Sequence, residues 1–437
     1  MPVPARKVII IIIYTFIFLA GRGVYALQPP NILLIIADDL GVDISECYKR
    51  QSDYPLMPNL KKICQKALIF DQAWSYPTCS PTRAAIMTGR FAFRTGVGAP
   101  SGRGNPGIKL TENTIPKILD QKLNKQYSNA VIGKWHLSDN NNGGDYNPGL
   151  MGWQYYSGLI RGALKDYYSW PQVTNGKTET VNEYATSHFV NEAISWVKQQ
   201  NNKPWLLWLA FTAPHSPFHL PPPELVGKNN LPDNKRSIRQ NPTPYHNLMV
   251  EALDKEVGRL LASIGSLDNT YIIFIGDNGT AGRVSPIYDR NKAKGTLYQG
   301  GIHIPLIISG PEINQTYRIA APVMVTDLFA TILEIAGVKN ASENTDSVSL
   351  TPYFKNPSKA LRKWVYSEQF GSLANNQKAG QTISDGRYKL IKFDDGQLEF
   401  YDLFEDPLEE KNLINQLSEE EQQSLKKLQE ILNSFKQ

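Results

Sequence analysis

The sequence predicts an α/β protein in which helices cover both faces of a large, mixed but mostly parallel sheet. Apolar runs of strand length alternate along the chain with amphipathic stretches of helix length, and this alternation is typical of parallel sheets. The strand-like runs are mostly apolar and are bounded by turn residues. They cover residues 31–37, 127–132, 205–211, 271–275 and 305–309. The helical patterns between them cover residues 58–68, 114–123, 181–199 and 245–264.

The pattern changes near residue 345. Residues 340–349 are polar, and short alternating runs follow at 387–393 and 397–401. A charged helical pattern over residues 418–435 closes the chain. We therefore predict a main domain over residues 27–345 and a small C-terminal subdomain, an antiparallel sheet with one helix, over residues 346–437.

The first 26 residues predict an export signal. Arg6 and Lys7 precede an apolar run over residues 8–20, and Val24-Tyr25-Ala26 fits a cleavage site for small residues. Cleavage after Ala26 would give an exported protein, periplasmic or secreted, and an uncleaved membrane anchor is the alternative. The apolar run is short for a bilayer-spanning helix. No second run is long enough, so we expect no stable membrane association.

Charge and cysteine content restrict the function further. The 437-residue chain has a formal net charge of +5, which suits an anionic substrate, although the positive residues are spread along the sequence. It has no basic helix with interleaved aromatic residues, so we expect no nucleic-acid partner. Cys47 and Cys64 could pair and leave Cys79 for chemistry, or all three could be buried thiols.

Polar residues follow four of the predicted strands at the point where each strand ends. Each cluster alone could be ordinary turn chemistry. Open α/β sheets, however, bind ligands outside the carboxyl ends of their strands, and four clusters at one edge indicate a ligand site. The residues concerned are Asp38 and Asp39, Lys134 and His136, His215, and Asp277 and Asn278.

A fifth feature is the string Cys79-Ser80-Pro81-Thr82-Arg83. Pro81 fits the first position of a helix with Ser80 as its N-cap. Cys79 would then lie just before the helix N-terminus, where free N–H groups and the helix dipole favour negative charge. Arg83 would add a planar donor about one turn further along. The alternative is an ordinary helix start that carries a buried thiol.

These motifs together resemble those of the sulfatase family within the alkaline-phosphatase-like superfamily, and the resemblance spans nearly all of the mature sequence. The string from Cys79 to Arg83, extended through Thr88-Gly89-Arg90, resembles the first family signature, and residues 133–137 (GKWHL) resemble the second. The motifs at residues 38–41, 214–215, 276–279 and 294–298 follow in the family's order. Gln299 departs from the Glu that members commonly carry, and Ser157 could not be assigned to the sulfate-contacting serine of some members.

The resemblance implies an alkaline-phosphatase-like fold and an arylsulfatase-type hydrolysis of a sulfate ester, on a small molecule or a glycan, to an alcohol and sulfate. It implies that a separate formylglycine-generating enzyme oxidises Cys79 to Cα-formylglycine, whose hydrate attacks sulfur and then expels sulfate. His136 would activate this hydrate, and His215 would protonate the leaving oxygen. The cationic residues around the sulfate would be Arg83, Lys134 and Lys294.

The resemblance also implies one divalent cation. Its ligands would be Asp38, Asp39, Asp277 and Asn278, together with the modified Cys79. Carboxylate and amide oxygens suit hard cations, so we expect Ca²⁺, with Mg²⁺ as the alternative.

Two other functions stay open from the sequence. A phosphohydrolase with two zinc ions would resemble this chain, but it would carry an Asp-His pair in place of Asp277-Asn278 and a D-x-x-x-H string at Asp327. We expect Asp327 to precede a helix over residues 328–335. A non-catalytic binding protein is possible if Cys79 stays a thiol. Five aromatic residues could stack on a sugar or an arene, or could form a packing cluster. They are Tyr155, Tyr156, Tyr167, Tyr168 and Trp170.

Overall fold

The computed structural model describes residues 28–435 except Lys49, Ser52, Arg103, Asn202, Asn375 and Asn376. The predicted export signal lies outside these residues. No helix within the described ranges is both long and apolar enough to cross a bilayer.

The strands are β1 (Asn31–Ala37), β2 (Leu68–Phe70), β3 (Ala73–Trp74), β4 (Ser128–Gly133), β5 (Tyr155–Gly158), β6 (Trp170–Thr174), β7 (Lys177–Val181), β8 (Trp205–Ala210), β9 (Thr270–Gly276), β10 (Leu306–Ser309), β11 (Tyr317–Ile319), β12 (Val323–Met324), β13 (Val365–Gln369), β14 (Gly380–Ser384), β15 (Tyr388–Phe393) and β16 (Leu398–Asp402). The helices are α1 (Pro58–Cys64), α2 (Cys79–Thr88), α3 (Ala92–Thr95), α4 (Ile115–Lys122), α5 (Asn147–Leu150), α6 (Ala185–Lys198), α7 (Pro223–Val226), α8 (Lys235–Gln240), α9 (Thr243–Ile264), α10 (Gln299–Ile302), α11 (Asp327–Ile335) and α12 (Glu419–Ser434).

The main sheet confirms the predicted fold class. Its strand order is β11-β2-β10-β9-β1-β8-β4-β5-β6-β7. The central strand β1 pairs in parallel with β8 and β9, and β8 pairs in parallel with β4. Only β10 and β6 run against the other strands of this sheet among the described residues. The sheet is therefore mixed but mostly parallel.

Both faces of the sheet are covered, which explains the continuous aliphatic composition of β1. Alternate side chains of β1 belong to two separate apolar clusters, with Ile32, Leu34 and Ile36 in one and Leu33 and Ile35 in the other. Helices α2, α4 and α11 supply the first cluster, and helices α1, α6 and α9 supply the second. A strand buried on both faces needs apolar residues at every position rather than at alternate ones.

The C-terminal part confirms the predicted small antiparallel sheet with one helix. Strands β13 to β16 pair in antiparallel fashion in chain order. Helix α12 begins with a capping box of Ser418 and Glu421 and packs Leu428 and Leu432 against the sheet. The division of domains at residue 345 stays a prediction.

Two predicted helix starts are wrong by a few residues. The helix expected over residues 181–199 begins at Ala185, because residues 177–181 pair with β6 as strand β7. Helix α2 begins at Cys79, with Thr78 as N-cap, and not at Pro81. Ser80 is therefore inside the helix and does not cap it.

The structure pairs Cys47 with Cys64 in a disulfide, with their Cα atoms 6.5 Å apart. Cys79 is a free, buried thiol. The structure thus answers the question of cysteine pairing that the sequence left open.

Candidate active site

The carboxyl ends of β1, β4, β8 and β9 bring together the four polar clusters that the sequence predicts. Asp38 follows β1, Lys134 follows β4 and Asp277 follows β9 without an intervening residue. All three of these side chains are at least 99% buried. Because the four strands are parallel neighbours, side chains from distant parts of the sequence meet at one edge.

Cys79 lies at the start of α2 and faces this edge. Its Sγ is 3.2 Å from His136 Nδ1 and 3.5 Å from Lys134 Nζ. Burial raises the pKa of the Cys79 thiol, although the positive charge of Lys134 opposes this effect. The first turn of a helix and a lysine thus surround a side chain that is otherwise desolvated.

Ser80 has a role that the sequence analysis missed. Its Oγ donates a hydrogen bond to the His136 carbonyl at 2.6 Å and accepts one from the Ser101 N–H at 2.9 Å. His136 adopts a left-handed backbone conformation with φ of 58°, which is uncommon for a non-glycine residue. The Ser80 bond therefore holds a strained His136 against the start of α2.

The surroundings of the His136 ring disfavour its protonated form. Burial and then the charge of Lys134 hold the pKa of His136 well below its usual value. A neutral imidazole has one donor and one acceptor nitrogen, so it can accept a proton from a group beside Cys79.

Each of the three aspartates at the strand ends forms an ion pair with one lysine or arginine side chain. The shortest N–O distances are 2.5, 2.5 and 2.7 Å. These pairs are Lys134 with Asp38, Lys294 with Asp39, and Arg83 with Asp277.

The surroundings shift the pKa values of Asp39 and Asp277 in opposite directions. Burial by itself would raise the pKa of Asp39, but the charges of Lys294 and His215, together with the hydrogen bond from Lys294, lower that pKa. Burial and then the charge of Asp38 raise the pKa of Asp277, against the effect of Arg83. The Arg83 guanidinium also donates to the Lys134 carbonyl at 2.6 Å, so it ties two strand ends together.

The predicted metal ligands fit a hard cation. Asp38, Cys79 and Asp277 each offer one ligand atom, and these atoms all lie within 4.8 Å of one another. The buried Oδ1 atoms of Asp38 and Asn278 receive no hydrogen bond from any described residue. The Asn278 amide nitrogen donates to Asp39 Oδ1 at 2.9 Å, which leaves its own oxygen available. Buried oxygens without donors are costly unless a cation or another partner satisfies them.

His215 and Lys294 form the solvent-facing side of the site, because their side chains are 18% and 22% exposed. His215 Nδ1 is 2.6 Å from the Ser216 carbonyl, and its Nε2 is 3.8 Å from Asp39 Oδ2. The Tyr167 hydroxyl lies within 2.7 Å of both the Thr212 and His215 carbonyls. Burial and then the charge of Lys294 lower the pKa of His215.

The aromatic cluster that the sequence suggested is mostly a packing cluster. Tyr156, Tyr167 and Trp170 are at most 2% exposed, whereas Tyr168 is 41% exposed. Ser157 is also buried, and it accepts a hydrogen bond from the Gln172 amide at 2.8 Å.

Two further positions lie apart from the strand ends. Gln299 starts α10, where its N–H donates to Glu409. Asp327 begins α11 and forms a buried ion pair with Arg362. The residue at which a phosphohydrolase would carry further zinc ligands therefore has a structural partner here.

The large mixed sheet covered by helices and the small C-terminal antiparallel sheet form the alkaline-phosphatase-like fold that the sequence predicted. The family model described as "Sulfatase" matches residues 30–338, and the chain belongs to the sulfatase family. It is therefore a sulfuric ester hydrolase, as the sequence predicted. A second model, described as "N-sulphoglucosamine sulphohydrolase, C-terminal", matches residues 289–437.

Two curated relatives show the extent of the similarity. The chain is 27% identical to the N-acetylgalactosamine-6-sulfatase of Canis lupus familiaris, over 76% of this chain and 67% of that protein. It is 26% identical to the human arylsulfatase A, over 94% of this chain and 89% of that protein. The chain thus spans about two thirds of the first relative's length.

Solved structures share the fold over nearly the whole chain. Ps i-CgsB in complex with a neocarrahexaose has a TM-score of 0.77 and 24% identity, covering 92% of each chain. A structure described as a complex with its substrate, D-glucosamine-2-N,6-O-disulfate, has a TM-score of 0.74 and 22% identity. It covers 94% of this chain and 98% of its own.

Proposed function

We propose that this sulfatase hydrolyses a sulfate ester of a carbohydrate, with Cys79 as formylglycine and with one divalent cation. The observation that carries the proposal is the convergence of Cys79, Lys134 and His136 with three carboxylates at one sheet edge. The carbohydrate class rests on the N-acetylgalactosamine-6-sulfatase relative and on the two structures that hold sugars. It replaces the arylsulfatase-type substrate that the sequence suggested, although the human relative is called an arylsulfatase.

The residues around Cys79 suit a nucleophile that carries hydroxyl groups. In the modified protein the hydrated aldehyde would supply one hydroxyl to attack sulfur and a second to release sulfate. The hydroxyl oxygens of the modified residue would replace the Cys79 Sγ, which is 3.2 Å from His136 Nδ1. The neutral His136 ring can take the proton that the attacking hydroxyl loses. Lys134 can donate a hydrogen bond to the same position and stabilise negative charge there.

The predicted cation would be held by the buried oxygens of Asp38, Asp39, Asp277 and Asn278 and by the modified residue at 79. It would supply positive charge for the sulfate oxygens, and we favour Ca²⁺ over Mg²⁺ because crowded protein oxygens suit the larger ion. Lys134 and Lys294 add two cationic donors, so the site would carry enough positive charge for an anion.

The leaving alcohol needs a proton, and His215 is our candidate donor. It lies on the solvent-facing side of the site, where the alcohol part of the substrate would be and from which it would depart. Its pKa is lowered even with Asp39 nearby, so the charge of the bound sulfate would have to favour the protonated ring. Lys294 is the second candidate, because it reaches the same side of the site.

We further propose that the protein is exported to the periplasm or secreted and that a formylglycine-generating enzyme acts on it during maturation. The disulfide between Cys47 and Cys64 supports an oxidising compartment.

Hydrolysis of matched esters tests the proposal. N-acetylgalactosamine 6-sulfate, glucosamine 6-sulfate and nitrophenyl sulfate are compared with their phosphate counterparts. We expect release of sulfate from at least one sugar and little release of phosphate. Cys79→Ala should abolish turnover at unchanged melting temperature, and Ser157→Ala, which alters a buried residue of β5, should keep it.

Metal removal gives a second test of the same proposal. A chelator should abolish sulfate release, and Ca²⁺ or Mg²⁺ should restore it. Restoration by Zn²⁺ alone, together with phosphate release, would contradict the proposal and favour a phosphohydrolase.

A further inference from the structure

A basic cleft adjoins the candidate active site. It has a volume of about 670 Å³, and neither Asp nor Glu is among its described lining residues. Lys294 belongs to both places, because its side chain lines the cleft and its Nζ is 2.5 Å from Asp39 Oδ1. Ser216, the neighbour of His215, also lines the cleft. The other basic lining residues are Lys165, Lys235, Arg239, Arg283 and Arg290.

The fold gathers these charges from three separate segments of the chain. Lys165 lies between β5 and β6, Lys235 and Arg239 lie on α8, and Arg283 and Arg290 follow β9. Six basic side chains that are far apart in the sequence therefore lie around one cleft at the carboxyl end of the sheet. Clefts lined by one sign of charge focus the field and attract ligands of the opposite sign.

The five basic lining residues other than Lys294 have no acidic side chain as an ion-pair partner among the described residues. Each of them is exposed, and no carboxylate among the described residues lies within 4.0 Å of their nitrogens. Lys235 and Arg239 are four residues apart on α8, a spacing at which like charges weaken a helix. Helix α8 is nevertheless held at its start, where the Asn234 side chain accepts a hydrogen bond from the Ser237 N–H. An anionic ligand would supply the negative charge that these side chains lack.

We propose that this cleft binds a second anionic group of the substrate, a sulfate or a carboxylate on the sugar next to the one that carries the scissile ester. The inference rests on the proposed function, since it takes the site around Cys79 to hold the scissile sulfate. It identifies the substrate as an oligosaccharide with at least two negative groups. Exposed arginine and lysine side chains recognise sulfate and carboxylate through charge-assisted hydrogen bonds.

The test compares three disaccharides that share one scissile sulfate. The first has a neutral neighbouring sugar, the second has a sulfate on that sugar, and the third has a carboxylate there. We expect a kcat/KM about 10-fold higher for a doubly anionic substrate than for the first, because several exposed cation contacts add together. The advantage should shrink at high salt, since exposed charges are screened.

Paired variants locate the effect. Lys235→Gln/Arg239→Gln should remove most of the advantage and leave kcat/KM for the singly sulfated disaccharide within about two-fold. Lys198→Gln/Lys203→Gln is the matched control, because both lysines are exposed and line a cleft at the opposite edge of the sheet. Equal kcat/KM values for the three disaccharides, or an equal loss in the control, would overturn the inference.

Binding separates this inference from the proposed function. Calorimetric titration of the Cys79→Ala protein with each disaccharide measures affinity without turnover. If the wild-type protein hydrolysed none of them, the proposed function would fail, whereas tighter binding of the doubly anionic disaccharides would still support the cleft. Equal affinities would contradict the inference even if hydrolysis occurred.

Discussion

The ion pair between Arg83 and Asp277 gives a quantitative test of how the site is held. Both side chains are fully buried. Arg83 donates to Asp277 Oδ2 at 2.7 and 3.1 Å and to the Lys134 carbonyl at 2.6 Å. Arg83→Met keeps the unbranched apolar part of the side chain but removes all three donors. Removing one partner of a buried pair leaves an uncompensated charge, so we expect a loss of about 3–5 kcal/mol in unfolding free energy.

A double-mutant cycle shows whether this loss comes from the pair. Asp277→Asn removes the charge that Arg83 neutralises, so Arg83→Met/Asp277→Asn should lose less stability than the two single variants together. Residues in direct contact commonly show a coupling of about 0.5–3 kcal/mol. Lys378→Met breaks an ion pair whose two side chains are about half exposed, and it should cost under about 1 kcal/mol.

Urea unfolding, followed by tryptophan fluorescence, measures these free energies. The measurements are made with a chelator present, because a bound cation would compensate the Asp277 charge. A loss below about 1 kcal/mol for Arg83→Met, or additivity of the two substitutions within about 0.5 kcal/mol, would refute the reasoning.

Three further predictions address chemistry and stability. His215→Ala should slow hydrolysis of a sugar sulfate by roughly 10²- to 10⁴-fold and that of nitrophenyl sulfate less, because a good leaving group needs little protonation; equal losses would make Lys294 the better candidate acid. Burial raises the pKa of Glu368 to about 7. Folded protein then holds a proton that unfolded protein releases above its usual pKa of 4.5, so stability should fall by about 3 kcal/mol as pH rises from 4.5 to 7. Glu368→Gln should flatten this dependence in melting experiments, and an unchanged profile would contradict it. Replacing Cys47 and Cys64 by serine should cost about 3 kcal/mol at unchanged kcat, which chemical denaturation measures.

The central strands could be predicted from the sequence because they are buried on both faces. Their apolar runs are long enough to be distinguished from loops, as in β1 and β8. The antiparallel strands β6 and β7 were missed, because four of the five residues of β7 are exposed and polar and Pro171 lies in β6. Such an edge strand carries no hydrophobic alternation.

The start of α2 shows why a local rule gave the wrong boundary. Proline is favoured at the first helical position, and we therefore placed the start at Pro81. The first four N–H groups of a helix have no partner within the helix, so proline is also tolerated at the third position, where Pro81 lies. Ser80 is then free to bond the His136 carbonyl instead of capping the helix.

Most residues of the candidate site could be predicted from the motifs at the strand ends, because parallel neighbouring strands end at the same edge of the sheet. The residues that support the site could not be found in this way. Tyr167 contacts the His215 loop from a separate segment, and the basic cleft is assembled from three segments of the chain. These contacts depend on how the connecting segments fold over the sheet. Neither the hydrophobic periodicity of the sequence nor a sequence motif predicts those conformations.

The modification of Cys79 is the most direct test of the proposed chemistry. Mass spectrometry of the peptide that contains this residue measures the fraction present as aldehyde, and sulfate release per chain is measured on the same preparations. We predict that turnover rises in proportion to the aldehyde fraction and vanishes where only thiol is present. Fully active protein with an unmodified Cys79 thiol would contradict the proposed mechanism.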